Sequence, residues 1–228
     1  MLSRIQIIGT GSSGNCYRLK FDTDEGDVIL DCGVTDNIFH SILTLFITHK
    51  HKDHTREIES YKANNINIVS YEDANHNGQI GNLKWERFKI PHEVDNYGYI
   101  INYDNEKIGY ITDCGDYTQI DKDLSDLTYL LIECNWDYFL IKNDIIKALP
   151  HSVYAFSKEG HMSNLDTINA IAKWKINKDC KIIFIHKSDH HANYDTTYNI
   201  FKSLPNKWVV AENGKTIYCK SKSGLKII

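Results

Sequence analysis

Five short apolar runs in this chain end on a side chain that can hold a proton or a metal ion. "VILD" closes on Asp31, "LFITH" on His49, "GYITD" on Asp113, "LLIE" on Glu133 and "IIFIH" on His186. Runs this short, rich in Ile, Leu, Val and Phe, read as buried strands. A strand that is apolar until its last position delivers that last side chain to the rim of its sheet. One such ending arises easily by chance, but five describe a sheet edge built as a polar site, on elements rigid enough to hold ligands still. The fold is therefore expected to bring several strand ends together at one edge.

The remaining patterns fill in the layers. "RIQIIGTG", "CYRLKFD", "INIVS", "KWERFKI" and "GYIINYD" read as further strands, separated by Gly, Asn and Asp turn signals. "HTREIESYKAN" reads as a helix that starts right after a histidine cluster. The second half adds helical patterns in "FLIKNDIIKAL", in "SNLDTINAIAKWK" with Ser163 or Asn164 as N-cap, and in "YDTTYNIFKSL". Strands "CKIIFIH" and "KWVVAEN" interleave with them. Strands in two batches, with helices between and after them, predict an α/β fold of two sheets covered by helices. No linker, internal repeat or low-complexity tract divides the 228 residues, so one domain is expected over 1–228.

Net charge is −4, which argues against a protein that coats nucleic acid non-specifically. Lys220, Lys222 and Lys226 make a small basic run that reads as a solvated tail. The six cysteines show no C-x-x-C pair and are expected as free thiols of a reducing compartment. The first residues carry no signal-peptide pattern, and no apolar run approaches the ~20 residues that span a bilayer. A cytoplasmic protein without a membrane partner is expected.

"ITHKHKDHT" packs His49, His51, Asp53 and His54 into six residues, with two lysines between them. Protons on three neighbouring histidines would repel one another and the lysines, whereas a divalent metal would neutralise the cluster. His49 and His51 lie two apart on an extended segment and point the same way. Asp53 and His54 follow as the chain turns into a helix, and can face a second direction. That arrangement serves two metals better than one. Nitrogen and carboxylate ligands without thiolate favour Zn²⁺, with Mn²⁺ or Fe²⁺ as alternatives. The glycines of "GTGSSGNC" are not a phosphate loop, since no Lys-Ser/Thr follows at the required spacing.

His49, His51, Asp53 and His54 in this order resemble the signature of the metallo-β-lactamase superfamily. Downstream, "HEVDNYGYI", "YITDCGD" and "GHMSN", followed by a helix and "IIFIHKS", resemble motifs of its tRNase Z-like phosphodiesterase branch. "GTGSSGNCY", "LLIECNWD" and "LPHSVYAFSKEGHMSN" resemble in particular the YycJ/WalJ-like proteins, which are regarded as nucleases. The resemblance runs the length of the chain. It implies an αββα sandwich of two mixed β-sheets flanked by helices, with the site at one edge. It also implies one metal on His49, His51 and His92, a second on Asp53, His54 and His186, Asp113 as the bridge, and Asp31 in support of the cluster. Asp53, Glu133 and His161 are then the residues that carry catalysis, the last two as an acid pair. A carboxylate holding an imidazolium suits protonation of an alkoxide leaving group.

The expected function is a dinuclear metal-dependent phosphodiester hydrolase, a DNA or RNA nuclease of the WalJ-like kind with two divalent ions, Zn²⁺ or Mn²⁺. Only 20 residues separate His92 from Asp113, which leaves no room for the long tRNA-gripping arm of true tRNase Z enzymes. A cyclic-nucleotide phosphodiesterase of the small phage type is the rival with the same chemistry. A non-catalytic metal-binding regulatory module is the rival of another class. The expected partners are nucleic acid or a nucleotide phosphodiester, and the chain is expected as a monomer or homodimer.

Overall fold

The computed structural model describes residues 1–142, 156–221 and 224–228. Fourteen strands are present among them: β1 (Leu2–Gly9), β2 (Cys16–Phe21), β3 (Asp27–Leu30), β4 (Ile42–Phe46), β5 (Asn67–Val69), β6 (Asn77–Ile80), β7 (Leu83–Ile90), β8 (Asn96–Tyr103), β9 (Glu106–Ile111), β10 (Tyr129–Glu133), β11 (Lys181–Ile185), β12 (Trp208–Val210), β13 (Thr216–Ser221) and β14 (Gly224–Ile227). The helices are α1 (Lys52–Thr55), α2 (Ile58–Ala63), α3 (Tyr138–Lys142), α4 (Asn164–Lys173) and α5 (Tyr194–Phe201). One sheet runs β14-β13-β1-β2-β3-β4-β5 and the other β12-β11-β10-β9-β8-β7-β6. Both are mixed: β3, β4 and β5 are parallel in the first, and β9, β10, β11 and β12 in the second, with antiparallel pairs elsewhere.

Alternation along the strands builds the layers. In β10, Tyr129 and Leu131 face the other sheet, while Leu130 and Ile132 pack under the helices. In β11, Ile183 and Ile185 point inward and Ile182 and Phe184 outward. The inner core joins them to Ile5, Ile7, Leu19, Val28, Leu30 and Phe46 of the first sheet. Ala170 and Ile171 of α4 and Phe201 of α5 cover the outer face of the second sheet. Tyr61 of α2 covers Ile29 and Leu45 on the outer face of the first. Both faces of each sheet are thus covered, which is what parallel strands apolar on both sides require. The result is the expected αββα sandwich.

Parallel neighbours end at the same edge of a sheet. Ile132 pairs with Ile111 on one side, and Glu133 pairs with Ile185 on the other. Asp113, Glu133 and His186 therefore line up across three strands. Leu30 pairs with Phe46, which sets Asp31 level with the start of the segment leading to His49.

Several expectations need correction. The first helix does not follow the histidine cluster but begins inside it, at Lys52, and it breaks before α2. Only four residues of the helix expected at 139–149 have a counterpart, in α3; the rest lies outside the described residues. The basic run near the C-terminus is not a tail: Lys226 sits on β14, opposite Tyr218 of β13. Lys222 lies outside the described residues. Among the described residues no helix is long and apolar enough to cross a membrane.

Candidate metal centre

Of the five strand-end groups, only Glu133 is still inside a strand. Asp31 follows β3 directly, His186 follows β11 directly, Asp113 comes two residues after β9, and His49 three after β4. Asp31, Asp113 and His186 have left-handed backbones, with φ of 56°, 52° and 54°. That conformation ends strand pairing and turns the side chain out of the sheet; it is unusual for residues with a Cβ and clusters at functional sites. Both sheets use the same tripeptide here, Asp31-Cys32-Gly33 and Asp113-Cys114-Gly115. A Cβ at Gly33 would collide with the Asp53 carbonyl oxygen, and one at Gly115 with the Lys158 carbonyl oxygen. Each glycine lets another backbone segment lie against the turn. Gly33 thereby seats α1, whose Asp53 carbonyl also accepts from Asn15 N (2.7 Å) and whose His54 carbonyl accepts from Cys32 N (2.8 Å).

Asp113 is the hub of the centre. Its Oδ2 lies 3.3, 3.4 and 3.8 Å from Nε2 of His49, His54 and His92, and its Oδ1 lies 3.3 Å from His186 Nδ1. Asp53 Oδ2 is 3.4 Å from His54 Nε2 and 3.5 Å from His186 Nε2. His92 Nε2 faces His51 Nδ1 at 3.4 Å. Donor atoms fall within 4.8 Å of one another in three sets: His49, His51, His92 and Asp113; Asp53, His54 and His186; and Asp113, Glu133, His161 and His186.

The other ring nitrogens are tied down. The His54 ring approaches Asp31 at 2.7 Å through Nδ1, and Asp31 also accepts from Tyr110 Oη (2.6 Å) and Thr48 N (2.8 Å). Thr48 Oγ1 donates to Asp31, so His49 Nδ1 donates to Thr48 Oγ1 at 2.9 Å. His92 Nδ1 donates to the Gly160 carbonyl at 3.2 Å. Anchored this way, each ring turns its remaining nitrogen toward the centre. His49 Nε2 and His186 Nε2 are buried without a hydrogen-bond partner. Two orphaned imidazole nitrogens facing carboxylates fit a cation.

Electrostatics separates the histidines. Burial, helped by His54, pushes His49 down to about 4 against the pull of Asp113. Burial also lowers His92. The same burial opposes charge on His54 and His186, but there the carboxylates win. Asp113 and Asp31 hold His54 well above the usual imidazole range, and Asp113, Asp53 and Glu133 hold His186 up to about 10. In return, Asp113, Asp53 and Glu133 stay below the usual carboxylate range although burial raises each of them.

No family model and no curated protein matches this sequence. Solved structures do match its shape. The metallo-β-lactamase fold protein YhfI from Bacillus subtilis superposes with a TM-score of 0.68 at 13% identity, over 95% of this chain and 99% of that one. The chain has the metallo-β-lactamase fold. The short form of human tRNase Z shares the metallo-β-lactamase fold with it at a TM-score of 0.59 and 13% identity, covering 94% and 98% of the two chains. A diphosphatase of the PhnP family gives 0.60 at 15% identity, covering 95% and 96%.

In this metallo-β-lactamase fold the site opens into a cavity of about 290 Å³, lined by His51, Asp53, His92, Asp113, His161 and His186, together with Ser12, Glu93, Asn135, Ser188 and His191. His161 Nδ1 lies 3.1 Å from Glu133 Oε2. The other Glu133 oxygen accepts from the backbone N–H of Cys114 and of Met162. All the sequence-derived site residues therefore meet at one edge of the fold. Several neighbours have no counterpart in the sequence reading. Glu93 Oε1 is 3.0 Å from His51 Nε2, Asn135 Nδ2 donates to the His186 carbonyl (2.8 Å), and Asn15 Nδ2 is 3.0 Å from His54 Nε2. An acid directly after a candidate ligand histidine was a usable signal for Glu93. Tyr110, Asn15 and Asn135 act through space and give none.

Proposed function

We propose that this protein is a phosphodiester hydrolase that works with two divalent metal ions and cuts nucleic acid. The observation that carries the reading is the Glu133–His161 pair, whose imidazole lines the same cavity as the candidate ligands. The donor set is imidazole and carboxylate without thiolate, which favours Zn²⁺ and admits Mn²⁺. His49, His51 and His92 would hold one ion, Asp53, His54 and His186 the other, with Asp113 shared and Asp31 orienting His54. When bound, such ions supply a water nucleophile ionised near neutral pH and counter-charge for the phosphoryl oxygens.

The chain's own residues supply the rest. Asp53, on α1, lines the cavity and would be a ligand of the second ion. Glu133, fully buried, keeps the His161 ring turned. With Nδ1 facing Glu133, Nε2 is the nitrogen from which His161 hands a proton to the leaving oxygen. A sugar alkoxide needs that proton, whereas lactam opening has less use for it. The six free, buried thiols suit a reducing cytoplasm.

Purified protein should carry about two divalent ions per chain. With Mn²⁺ or Zn²⁺ it should hydrolyse single-stranded DNA, duplex DNA or RNA in preference to a panel of cyclic nucleotides. Turnover confined to cyclic nucleotides would move the substrate to a small nucleotide. Bound metal without hydrolysis of any phosphodiester would leave a regulatory binding module.

A further inference from the structure

Beside the metal cavity lies a second one of about 480 Å³. His161 lines both, so the two cavities adjoin at this residue. One wall of the second cavity is aromatic. The rings of Trp136 and Tyr138 stack with centroids 6.3 Å apart and 28° between their planes, and Phe156 packs on Trp136 at 4.8 Å. Trp136 is nearly buried, and its indole N–H donates to the His161 carbonyl at 2.9 Å. Tyr138 is 36% exposed. Thr118 and Asn169 add polar groups to the lining. Asp116, Lys158 and Asp166 add charge, and an aromatic wall facing polar groups around such a volume suits a small ligand.

We propose that this cavity receives the nucleoside that departs during hydrolysis, its base stacked against Tyr138 and Phe156. The inference rests on the phosphodiesterase reading and adds the placement of the substrate. Water adds to phosphorus, the P–O bond to the departing sugar breaks, and the proton from His161 completes that sugar's hydroxyl. The departing group must therefore stand on the His161 side of the phosphate, and the aromatic cavity opens there. In a nucleic acid that group carries a base. Stacking between a base and an aromatic side chain is worth roughly fivefold to a hundredfold per base, with little regard to which base it is. Such a site selects for a nucleoside without reading sequence.

The test uses a dinucleoside monophosphate and its two abasic counterparts, each lacking the base on one side. The products show which side keeps the phosphate and hence which side leaves. Removing the base on the leaving side should lower kcat/KM by roughly tenfold or more, and removing the other base should matter less. Tyr138→Ala and Phe156→Ala should each shrink that preference, and together bring it near one, with the fold checked by circular dichroism. Tyr218→Ala, an exposed aromatic on β13 outside the cavity, should keep the wild-type ratio. Trp136 is left intact because its indole also anchors the His161 backbone. Cleavage without preference for the leaving-side base, or a preference untouched in the double variant, overturns this inference and leaves the phosphodiesterase reading standing. No cleavage of any of the three, with metal bound, overturns both.

Discussion

His54 and His186 keep their protons because carboxylates surround them, while His49 and His92, a few ångströms away, are neutral because burial outweighs the same carboxylates. A ring nitrogen must be free of its proton to ligate a metal, so the two halves of the centre should load differently with pH. His186, held up to about 10, and His54 give up a proton on binding, so affinity at the Asp53, His54, His186 set rises with pH through the neutral range. It should gain about tenfold per pH unit for each proton released. The His49, His51, His92 set owes no proton at its two buried rings and should change less. Calorimetric titration with Zn²⁺ at pH 6, 7 and 8, in buffers of differing ionisation enthalpy, reads both terms. Equal proton release at the two halves would contradict the assignment. His161 makes a second prediction at this scale. His161→Ala should slow cleavage of a natural phosphodiester by ~10²–10⁴-fold and largely spare bis-p-nitrophenyl phosphate, whose leaving group needs no proton. Glu133→Gln should show the same pattern more weakly. Equal slowing of both substrates by His161→Ala would reduce His161 to a structural role.

The element that fixes His161 is α4, which starts three residues later. Ser163 accepts from Asp166 N while the Asp166 carboxylate accepts from Ser163 N, a reciprocal cap on a buried helix start. Ser163→Ala should cost about 1 kcal/mol. For a chain of this length that lowers Tm by roughly 2–4 °C in a thermal melt, with metal content unchanged. A loss of metal alongside would mean that the cap also holds the ligands. This helix and its cap were legible in the sequence, as were the central strands, because apolar runs and Ser-x-x-Asp spacing report local physics. The edges were less so. "NGQI" forms the edge strand β6 with almost no apolar content, since an edge strand needs only one buried face, and β13 with the edge strand β14 hides in a lysine-rich stretch. The break between α1 and α2 was not foreseen either; Thr55 Oγ1 donates to the His51 carbonyl there, a local alternative to the helical ladder. The strand-end candidates showed themselves by position. His92 and His161, on loops, were found only through the family resemblance, because nothing in their own neighbourhoods marks them.

For the whole molecule, the centre is a seam. Asp31, His49, His51, Asp53 and His54 come with one sheet, and His92, Asp113, Glu133 and His186 with the other. Ions bound between them would tie the two halves of the sandwich, and binding to the folded state alone would add stability by mass action, about 2.7 kcal/mol at a hundredfold excess over Kd. Chelation should therefore lower Tm by roughly 5–10 °C, reversed by adding Zn²⁺ back. An unchanged Tm would mean that no ion is bound preferentially to the folded state. The left-handed turns at Asp31, Asp113 and His186 carry a last consequence. A residue with a Cβ is disfavoured there by about 1–2 kcal/mol relative to glycine. His186→Gly should accordingly melt higher than His186→Ala, although both lack the imidazole. At these corners the chain keeps a carboxylate or an imidazole against a backbone preference that glycine would satisfy. That local strain is gathered at three backbone positions, all on the edge where the candidate ligands meet.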